Sequence, residues 1–231
     1  LRRTLLGALP GAAAVAVRID GIQHEFSSIP GVTEDVTDII LNLKNLAVKT
    51  SVLDEDFTTT VYLKKKGAGV VYASDIELND QVEILNPDLK ICTLDDAANL
   101  DMEIIIGRGR GYVPAQKNKK EEYPIGCIAI DSIFTPIKAV NYSVESTRVG
   151  QSIDFDKLTL EVLTNGTMSA KEIVSLAAKI VQEHIQLFVD LVDSIKDMDI
   201  LVSNEKDEPV KVMEMSIEDM DLSVRSYNCL K

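Results

Sequence analysis

The sequence predicts a protein of mixed helical and stranded structure, with amphipathic helices on either side of a β-rich middle. Short segments with β-branched or alternating residues fill the central region, and each is bounded by glycine, proline, asparagine or aspartate. Helical stripes of leucine and isoleucine lie before and after that region. Of the 231 residues, 45% are hydrophobic and 26% are charged. These values are typical of a globular protein and disfavour wholesale disorder.

The chain opens on a helical stripe. Leu5, Leu6 and Leu9 recur on one face, and Pro10-Gly11 ends the pattern. Two arginines followed by apolar residues resemble a secretory signal, but Pro10-Gly11 interrupts the apolar run. We therefore expect residues 1–9 to be the end of an amphipathic helix, in a fragment that begins inside that helix.

A series of predicted strands follows. Asp20-Gly21, between the first two, is a signal for a tight hairpin. One helix interrupts the strands over residues 34–43, because Val36, Ile39 and Leu43 keep helical spacing. The predicted strands are 13–19, 22–27, 46–52, 58–63, 82–85, 90–94, 102–106, 125–130, 139–144 and 158–163.

The strongest predicted element is a long helix in the second half of the chain. Ser169 and Glu172 have the spacing of a capping box. An apolar stripe then runs from Ile173 to Ile195, over about seven turns and roughly 40 Å. A helix with so wide an apolar face usually packs against a partner, so we expect an interaction protein that forms a dimer.

The formal charge of the protein is strongly negative. The 24 Lys and Arg against 37 Asp and Glu give −13, which disfavours any general attraction to nucleic acid or to anionic lipid. Residues 190–221 contain eleven acidic residues and three lysines, and so carry −8 of this charge. We expect residues 196–216 to be an acidic flexible linker and residues 217–231 to begin a second domain. No apolar run reaches the roughly 18 to 20 residues that span a bilayer.

Residues with catalytic or metal-binding chemistry are few. Cys92, Cys127 and Cys229 have neither CxxC spacing nor a nearby histidine. This pattern disfavours a disulfide framework or a zinc site and is typical of a cytoplasmic protein. His24 and His184 are better explained as structural or interface side chains than as catalytic groups. We therefore predict no catalytic residue, no cofactor and no metal in this protein.

A glycine-rich segment leaves one alternative open. Gly107-Arg-Gly-Arg-Gly111 could form a loop whose amides and guanidinium groups approach phosphate, and Lys117, Lys119 and Lys120 follow it. The segment matches neither GxxxxGK[ST] nor GxGxxG. A tight loop with arginines that face solvent is favoured, and the alternative is a freestanding enzyme that binds a phosphorylated ligand at residues 107–111.

Seven short motifs follow one another along the sequence. They are Leu-Arg-Arg-Thr-Leu-Leu (1–6), Val-Arg-Ile-Asp-Gly (17–21), His-Glu-Phe-Ser (24–27), Ile-Pro-Gly-Val (29–32), Glu-Asp-Val-Thr-Asp-Ile-Ile-Leu-Asn-Leu-Lys (34–44), Gly-Arg-Gly-Arg-Gly-Tyr-Val-Pro-Ala (107–115) and Asp-Lys-Leu (156–158). In this order they resemble the amino-terminal domain of the bacterial RNA polymerase alpha subunit. Residues 223–231 resemble the opening of the carboxy-terminal domain of the same family.

The resemblance implies an α+β fold built of two subdomains. A dimerisation subdomain would combine residues 1–10 and 136–195, including the long amphipathic helix. An inserted, mostly β subdomain would occupy residues 11–135. The acidic linker at 196–216 would lead to residues 217–231, the truncated start of a carboxy-terminal domain that binds promoter DNA.

The resemblance also implies a non-catalytic role in the assembly of DNA-directed RNA polymerase, a nucleotidyltransferase complex. In this family two alpha copies form a homodimer, after which one copy binds the beta subunit and the other binds beta-prime. DNA contact is implied only through the carboxy-terminal domain, membrane contact is not implied, and the location is cytoplasmic. The residues expected at contacts with beta or beta-prime are Arg3, His24, Glu25, Asp35, Asp38 and Lys44. Those expected at the dimer interface are Leu5, Leu9, Ile180, His184, Phe188 and Leu191.

Overall fold

The computed structural model describes residues 1–52, 54, 56–120, 122–150 and 152–191. The protein divides into two compact units, Leu1–His184 and Ile185–Lys231. The predicted linker at 196–216 and the predicted domain start at 217–231 lie outside the described residues.

Helices and strands both contribute to the described residues, and the strands form antiparallel sheets, which confirms the predicted α+β class. In sequence order the elements are α1 (Arg2–Gly7), β1 (Pro10–Ile19), α2 (Val36–Lys44), β2 (Val48–Thr50), β3 (Thr58–Lys66), β4 (Gly69–Tyr72), a 3₁₀ turn (Ala73–Asp75), β5 (Ile76–Glu77), β6 (Val82–Ile84), β7 (Lys90–Leu94), β8 (Asn99–Arg110), β9 (Tyr112–Val113), α3 (Ala115–Asn118), β10 (Cys127–Ala129), β11 (Ser132–Ile133), β12 (Ile137–Val149), β13 (Ser152–Thr164) and α4 (Ala170–Val189).

Strand β1 lies at the centre of the large sheet. That sheet has the order β5-β3-β8-β1-β2-β6, and β10 also pairs with β1. One edge of β1 pairs antiparallel with β8 over the full length of β1. The other edge pairs with β2 at Ala12 and with β10 from Ala16 to Arg18. Both edges of β1 are therefore occupied.

The main hydrophobic core lies against this large sheet. Helix α2 buries Val36, Ile39, Ile40 and Leu43, as their helical spacing predicts. Alternate residues of β8, such as Met102, are buried in the same cluster. This period of two is the pattern of a strand with one face on a core. The core of the β-rich region therefore lies between helix α2 and the sheet.

A second core joins α1, α4 and the hairpin of β12 and β13. The buried residues of this core are Leu5, Leu9, Ile137, Val140, Ile173 and Ala177. Among the buried residues that the structure describes, none belongs both to this cluster and to the main core. The separation supports the expected division into residues 11–135 and the two flanking segments, and that division stays a prediction.

The start of helix α4 has the predicted capping box. The Glu172 N–H donates to Ser169 Oγ over 3.3 Å, and the Ser169 N–H donates to a Glu172 carboxylate oxygen over 3.1 Å. These bonds satisfy amides that the first turn of a helix leaves without partners. Helix α4 continues to Val189, a length of about 30 Å at 1.5 Å per residue. Residues 190 and 191 form a turn after the helix, and residues 192–195 of the predicted helix lie outside the described residues.

The predicted strand at 22–27 and the predicted hairpin at Asp20-Gly21 are wrong. Gly21 has a φ of +77°, and the Ile22 N–H donates three residues back over 3.1 Å, which makes a turn. The backbone then leaves the sheet, and residues 22–27, all of which are described, form no strand. The reason is nonlocal. At Arg18, β8 and β10 already occupy both edges of β1, so a hairpin partner has no edge left to pair with.

Two glycines of β8 allow a third, smaller cluster to form. Phe134 packs with Ala13 and Val15 on the face of the sheet opposite the main core. A Cβ atom on Gly109 would lie 2.7 Å from Cε2 of Phe134, and one on Gly107 would lie 2.9 Å from Cγ1 of Val15. The ring and the valine therefore occupy the volume that ordinary side chains would take.

We predict that Gly109→Ala destabilises the protein by about 1–3 kcal/mol, because the new methyl group overpacks the Phe134 ring. Gly7→Ala is the matched control, because a Cβ atom on Gly7 meets nothing within 4 Å. Chemical denaturation of both variants measures the difference. Equal stability of the two variants would contradict the packing role of Gly109.

Candidate interaction surfaces

The two arginines of α1 have different environments. Arg2 Nε donates to the carbonyl of Val140 over 3.0 Å, so Arg2 ties α1 to β12. The side chain of Arg3 is exposed. Within the described part of the protein it takes part in no hydrogen bond or ion pair. Of the pair, Arg3 is therefore the one whose guanidinium is available to another molecule.

Leu5 and Leu9 are core residues and not surface residues. Both side chains are fully buried against Ile173 and Ala177 of α4 and the hairpin. A residue with no exposed area cannot lose area to a second copy of the protein. The prediction that placed Leu5 and Leu9 in direct contact with a partner copy is therefore wrong, because the leucine stripe of α1 is covered from within the same polypeptide.

The second half of helix α4 and the turn that follows it carry exposed apolar side chains. Phe188 and Leu191 are each 74% exposed, and His184 is exposed on the same stripe. Ile180, one turn earlier, is partly buried at the edge of the second core. The Nδ1–H of His184 donates to the Ile180 carbonyl over 2.8 Å, so the ring lies along the helix. We call His184, Phe188 and Leu191 the outer α4 face.

The segment that precedes α2 forms an irregular surface. His24 and Glu25 are exposed, and Phe26 is 82% exposed. The Ser27 hydroxyl and His24 Nδ1 lie 3.0 Å apart, and Thr37 Oγ1 donates to the Glu25 carbonyl over 3.3 Å. These bonds fix the segment beside α2. Phe26 is not among the contact residues expected from the sequence, although it lies beside His24 and Glu25.

Two predicted contact residues lie at the amino end of α2. Asp35 is the N-cap residue and Asp38 lies in the first turn. Both are exposed, since the buried stripe of the helix lies on its other side. Carboxylates at this end are favourable because of the helix dipole. Asp35 makes no side-chain capping bond, so its carboxylate is not used for the local structure.

Glu34, which the sequence analysis did not select, anchors this surface to the sheet. Its carboxylate accepts bonds from the Thr93 N–H at 2.6 Å and the Thr93 hydroxyl at 2.9 Å, and it pairs with Lys90 at 2.9 Å. Burial opposes the charged form, but the bonds from Lys90 and Thr93 outweigh it and lower the pKa of Glu34. A carboxylate that holds two elements together is a positioning group, and no local sequence pattern identifies it.

Lys44, at the end of α2, is not a free cation. Its ammonium forms an ion pair and hydrogen bond with Asp131, and both side chains are partly buried. Lys44 lowers the pKa of the Asp131 carboxyl through this bond, against the effect of burial. A contact between Lys44 and another subunit would therefore have to compete with Asp131.

The glycine-rich segment is not a loop. Residues 107–110 belong to β8 and pair with β1 on one side, and Gly107 also pairs with Thr58 of β3. Their backbone groups are used in sheet hydrogen bonds, so they cannot form a nest for phosphate. The prediction of a loop at this segment is therefore wrong, and the alternative of a freestanding enzyme depends on that loop. Only Gly111 of this segment, with a φ of +63°, lies at a bend, close to the Gly7 carbonyl.

Groups with reactive chemistry are few in the described ranges. Burial raises the pKa of the Cys92 thiol to about 12, so little thiolate exists to act as a nucleophile at neutral pH. No cluster of three or more His, Cys, Asp or Glu residues in these ranges could hold a metal ion. None of the helices described combines the length and hydropathy that a bilayer crossing requires.

Comparison with known proteins identifies the family. The family model of the RNA polymerase Rpb3/RpoA insert domain matches residues 17–135, and that of the carboxy-terminal domain of the bacterial RNA polymerase alpha subunit matches residues 203–231. Proteins named DNA-directed RNA polymerase subunit alpha align with all 231 residues and with 72% of their own length. They include those of Clostridium perfringens (54% identical), Desulfitobacterium hafniense (56%) and Desulforudis audaxviator (54%). The protein belongs to the RNA polymerase alpha subunit family.

Membership of the alpha subunit family confirms the resemblance found in the sequence. The role that follows is that of an alpha subunit of DNA-directed RNA polymerase, a nucleotidyltransferase complex that carries out transcription. The insert-domain match coincides closely with the β-rich region between the two parts of the second core. The match from residue 203 overlaps the linker expected at 196–216, and the bounds of that linker stay a prediction.

We predict that Lys44→Met lowers the free energy of unfolding of the alpha subunit at pH 7 by about 0.2–1 kcal/mol, the range of partly exposed ion pairs. The pKa of Asp131 is lowered in the folded state, so this stabilisation exists above the unfolded pKa of about 3.9. It is lost as the pH falls through the lower, folded value. Denaturation at pH 7 and pH 2.5 should show a smaller difference between variant and parent at pH 2.5 than at pH 7. Lys49→Met, in the more exposed pair with Glu83 at 3.8 Å, is the control and should show little change at either pH.

Proposed function

We propose that this protein is the assembly subunit of its polymerase: two copies dimerise through the outer α4 face, and the dimer then holds the beta and beta-prime subunits. The observation that carries the proposal is the exposed apolar face of α4. Burying a side chain the size of Phe188 or Leu191 contributes about 1.5–3 kcal/mol. A homodimer with twofold symmetry buries each of these residues twice.

The two separate cores support a division of labour within the protein. The second core packs α4 against the β12–β13 hairpin and α1, and these elements come from residues 1–10 and 136–195, the proposed dimerisation subdomain. The main core belongs to residues 11–135, the proposed inserted subdomain. This subdomain carries the surface from His24 to Asp38, which we call the α2 surface. The buried clusters of the two parts share no described residue.

The beta contact is proposed to use Arg3 together with the surface from His24 to Asp38. Arg3 supplies a free planar guanidinium, which pairs bidentately with carboxylates. Phe26 supplies an exposed aromatic side chain, and aromatic residues are enriched in the cores of protein interfaces. Asp35 and Asp38 add unpaired carboxylates that fit a basic partner surface. Lys44 is less available for a contact with beta or beta-prime, because it already forms an ion pair with Asp131.

The catalytic centre of the polymerase is proposed to lie in the other subunits. The outer α4 face and the surface from His24 to Asp38 offer exposed apolar and charged side chains suited to protein contacts. DNA contact is proposed to occur through the carboxy-terminal domain that residues 217–231 begin, because the net charge of −13 disfavours DNA binding by the rest of the protein.

We predict that Phe188→Glu combined with Leu191→Glu converts the dimer to a monomer at micromolar concentration, because each interface would bury unpaired carboxylates. Both residues are exposed, so the fold of a single copy should stay intact. Ile180 is left unchanged because it contributes to the second core. Size-exclusion chromatography with light scattering measures the mass.

Ile125→Glu is the control for this change. Ile125 is 94% exposed and lies next to β10, outside the proposed interface. This variant should remain a dimer. A double variant of α4 that keeps the dimer mass would show that the outer α4 face has been misassigned.

We predict that Arg3→Ala leaves the stability of the alpha subunit within about 0.5 kcal/mol of the parent, as is usual for surface changes. Loss of a desolvated arginine contact should weaken capture of the beta subunit by roughly thirtyfold, or about 2 kcal/mol. Thermal unfolding and a pull-down with beta give the two measurements.

Arg2→Ala provides the opposite control. Loss of its bond to the Val140 carbonyl should lower the free energy of unfolding by about 0.5–1.5 kcal/mol. Capture of the beta subunit should fall only as far as the fraction of folded protein falls. If Arg3→Ala captures beta as well as the parent does, the role given to Arg3 is wrong.

A further inference from the structure

A small pocket lies on the face of the sheet opposite the main core. Its volume is about 190 Å³, and its floor is formed by Val15, Val113 and Phe134. These residues belong to the third cluster, which packs on the glycines of β8. The walls come from residues 56–58, from β8 and from the segment at and after α3. The pocket is distinct from the outer α4 face and from the α2 surface.

The polar groups around this pocket are mainly cationic. Among the described residues that line it are Arg108, Lys117 and Lys120, together with one carboxylate, that of Asp56. Arg108 Nη1 donates to the Val52 carbonyl over 2.9 Å, which fixes its guanidinium beside the pocket. Within the described residues neither lysine has an ion-pair partner. A protein with a charge of −13 thus keeps an excess of positive charge at this concave site.

The position of the two lysines is set by Asn118. Its Nδ2 donates to the Ile130 carbonyl over 2.6 Å and to the Ser132 hydroxyl over 2.9 Å. The Ser132 hydroxyl is itself buried and donates to the Ala14 carbonyl over 2.6 Å. This series of bonds fastens α3 to the sheet, so Lys117 and Lys120 are held at the rim and not on a freely moving loop.

We propose that this pocket binds a phosphate group through Arg108, Lys117 and Lys120. Arginine pairs with two phosphate oxygens at once, and lysine acts as a compact point charge. Phosphate offers enough oxygens to satisfy all three groups, whereas a carboxylate offers only two oxygens.

The size of the pocket restricts the ligand. Sites for whole organic ligands usually measure about 300–1,000 Å³, and this pocket is smaller. It therefore takes the phosphate group itself, as a free ion or as the end of a phosphomonoester whose remaining part stays in solvent. The apolar floor favours an ester that carries a small hydrophobic group.

The test measures binding to the full-length protein by isothermal titration calorimetry, with inorganic phosphate and with phenyl phosphate, at an ionic strength fixed with sodium chloride. Saturable binding of inorganic phosphate alone identifies a free ion as the ligand. Tighter binding of phenyl phosphate identifies a phosphorylated molecule. Either result supports the proposal, and heats that match those of added sodium chloride for both probes overturn it.

The sequence provides matched variants. Lys117→Gln combined with Lys120→Gln should weaken phosphate binding about tenfold or more, the effect of losing charge-assisted hydrogen bonds. Lys119→Gln removes the same charge from the neighbouring lysine, which does not line the pocket, and should change binding less than about twofold. Circular dichroism of each variant confirms that the fold is retained. Equal losses in Lys119→Gln and in the double variant would indicate general charge attraction and overturn the site.

Discussion

The occupation of both edges of β1 is the constraint on which the rest of the inserted region depends. With β8 on one side and β2 and β10 on the other, β1 cannot accept the segment that follows it. Residues 22–27 therefore pair with no strand, and the side chains of His24, Glu25 and Phe26 are exposed. The same pairing draws residues 107–110 into a strand. The pairing of β1 thus explains both why residues 22–27 lie at the surface and why residues 107–110 form a strand.

The glycines of β8 show how this pairing reaches the pocket. Because Gly107 and Gly109 have only a hydrogen atom as side chain, Val15 and Phe134 lie directly on the strand. The floor that these residues make is flat and apolar, and the cations at its edge come from the same strand and from α3. The sequence motif that suggested phosphate chemistry therefore lies near a candidate phosphate site, although its amides take no part in it.

Local signals predicted local structure well. The Ser169 and Glu172 capping box and the α2 stripe were correct, because neighbours within one turn determine them. Asp20-Gly21 failed because strand pairing depends on distant segments. Leu5 and Leu9 failed for a related reason: an apolar stripe shows that a helix is covered, but not whether the same polypeptide covers it. The pair of Lys44 and Asp131, and the link from Glu34 to Thr93, join distant positions that no local pattern connects.

The second core also has a consequence for the order of folding. Leu5 and Leu9 come from the start of the sequence, whereas Ile173 and Ala177 come from near the end of the described region. A ribosome must therefore release almost all of that length before this core can close, while the sheet region between can fold earlier, as domains generally do during synthesis. Contacts between such distant segments form slowly because a long loop must close first. The outer α4 face can therefore be completed only after the sheet region between the two halves of this core has been synthesised.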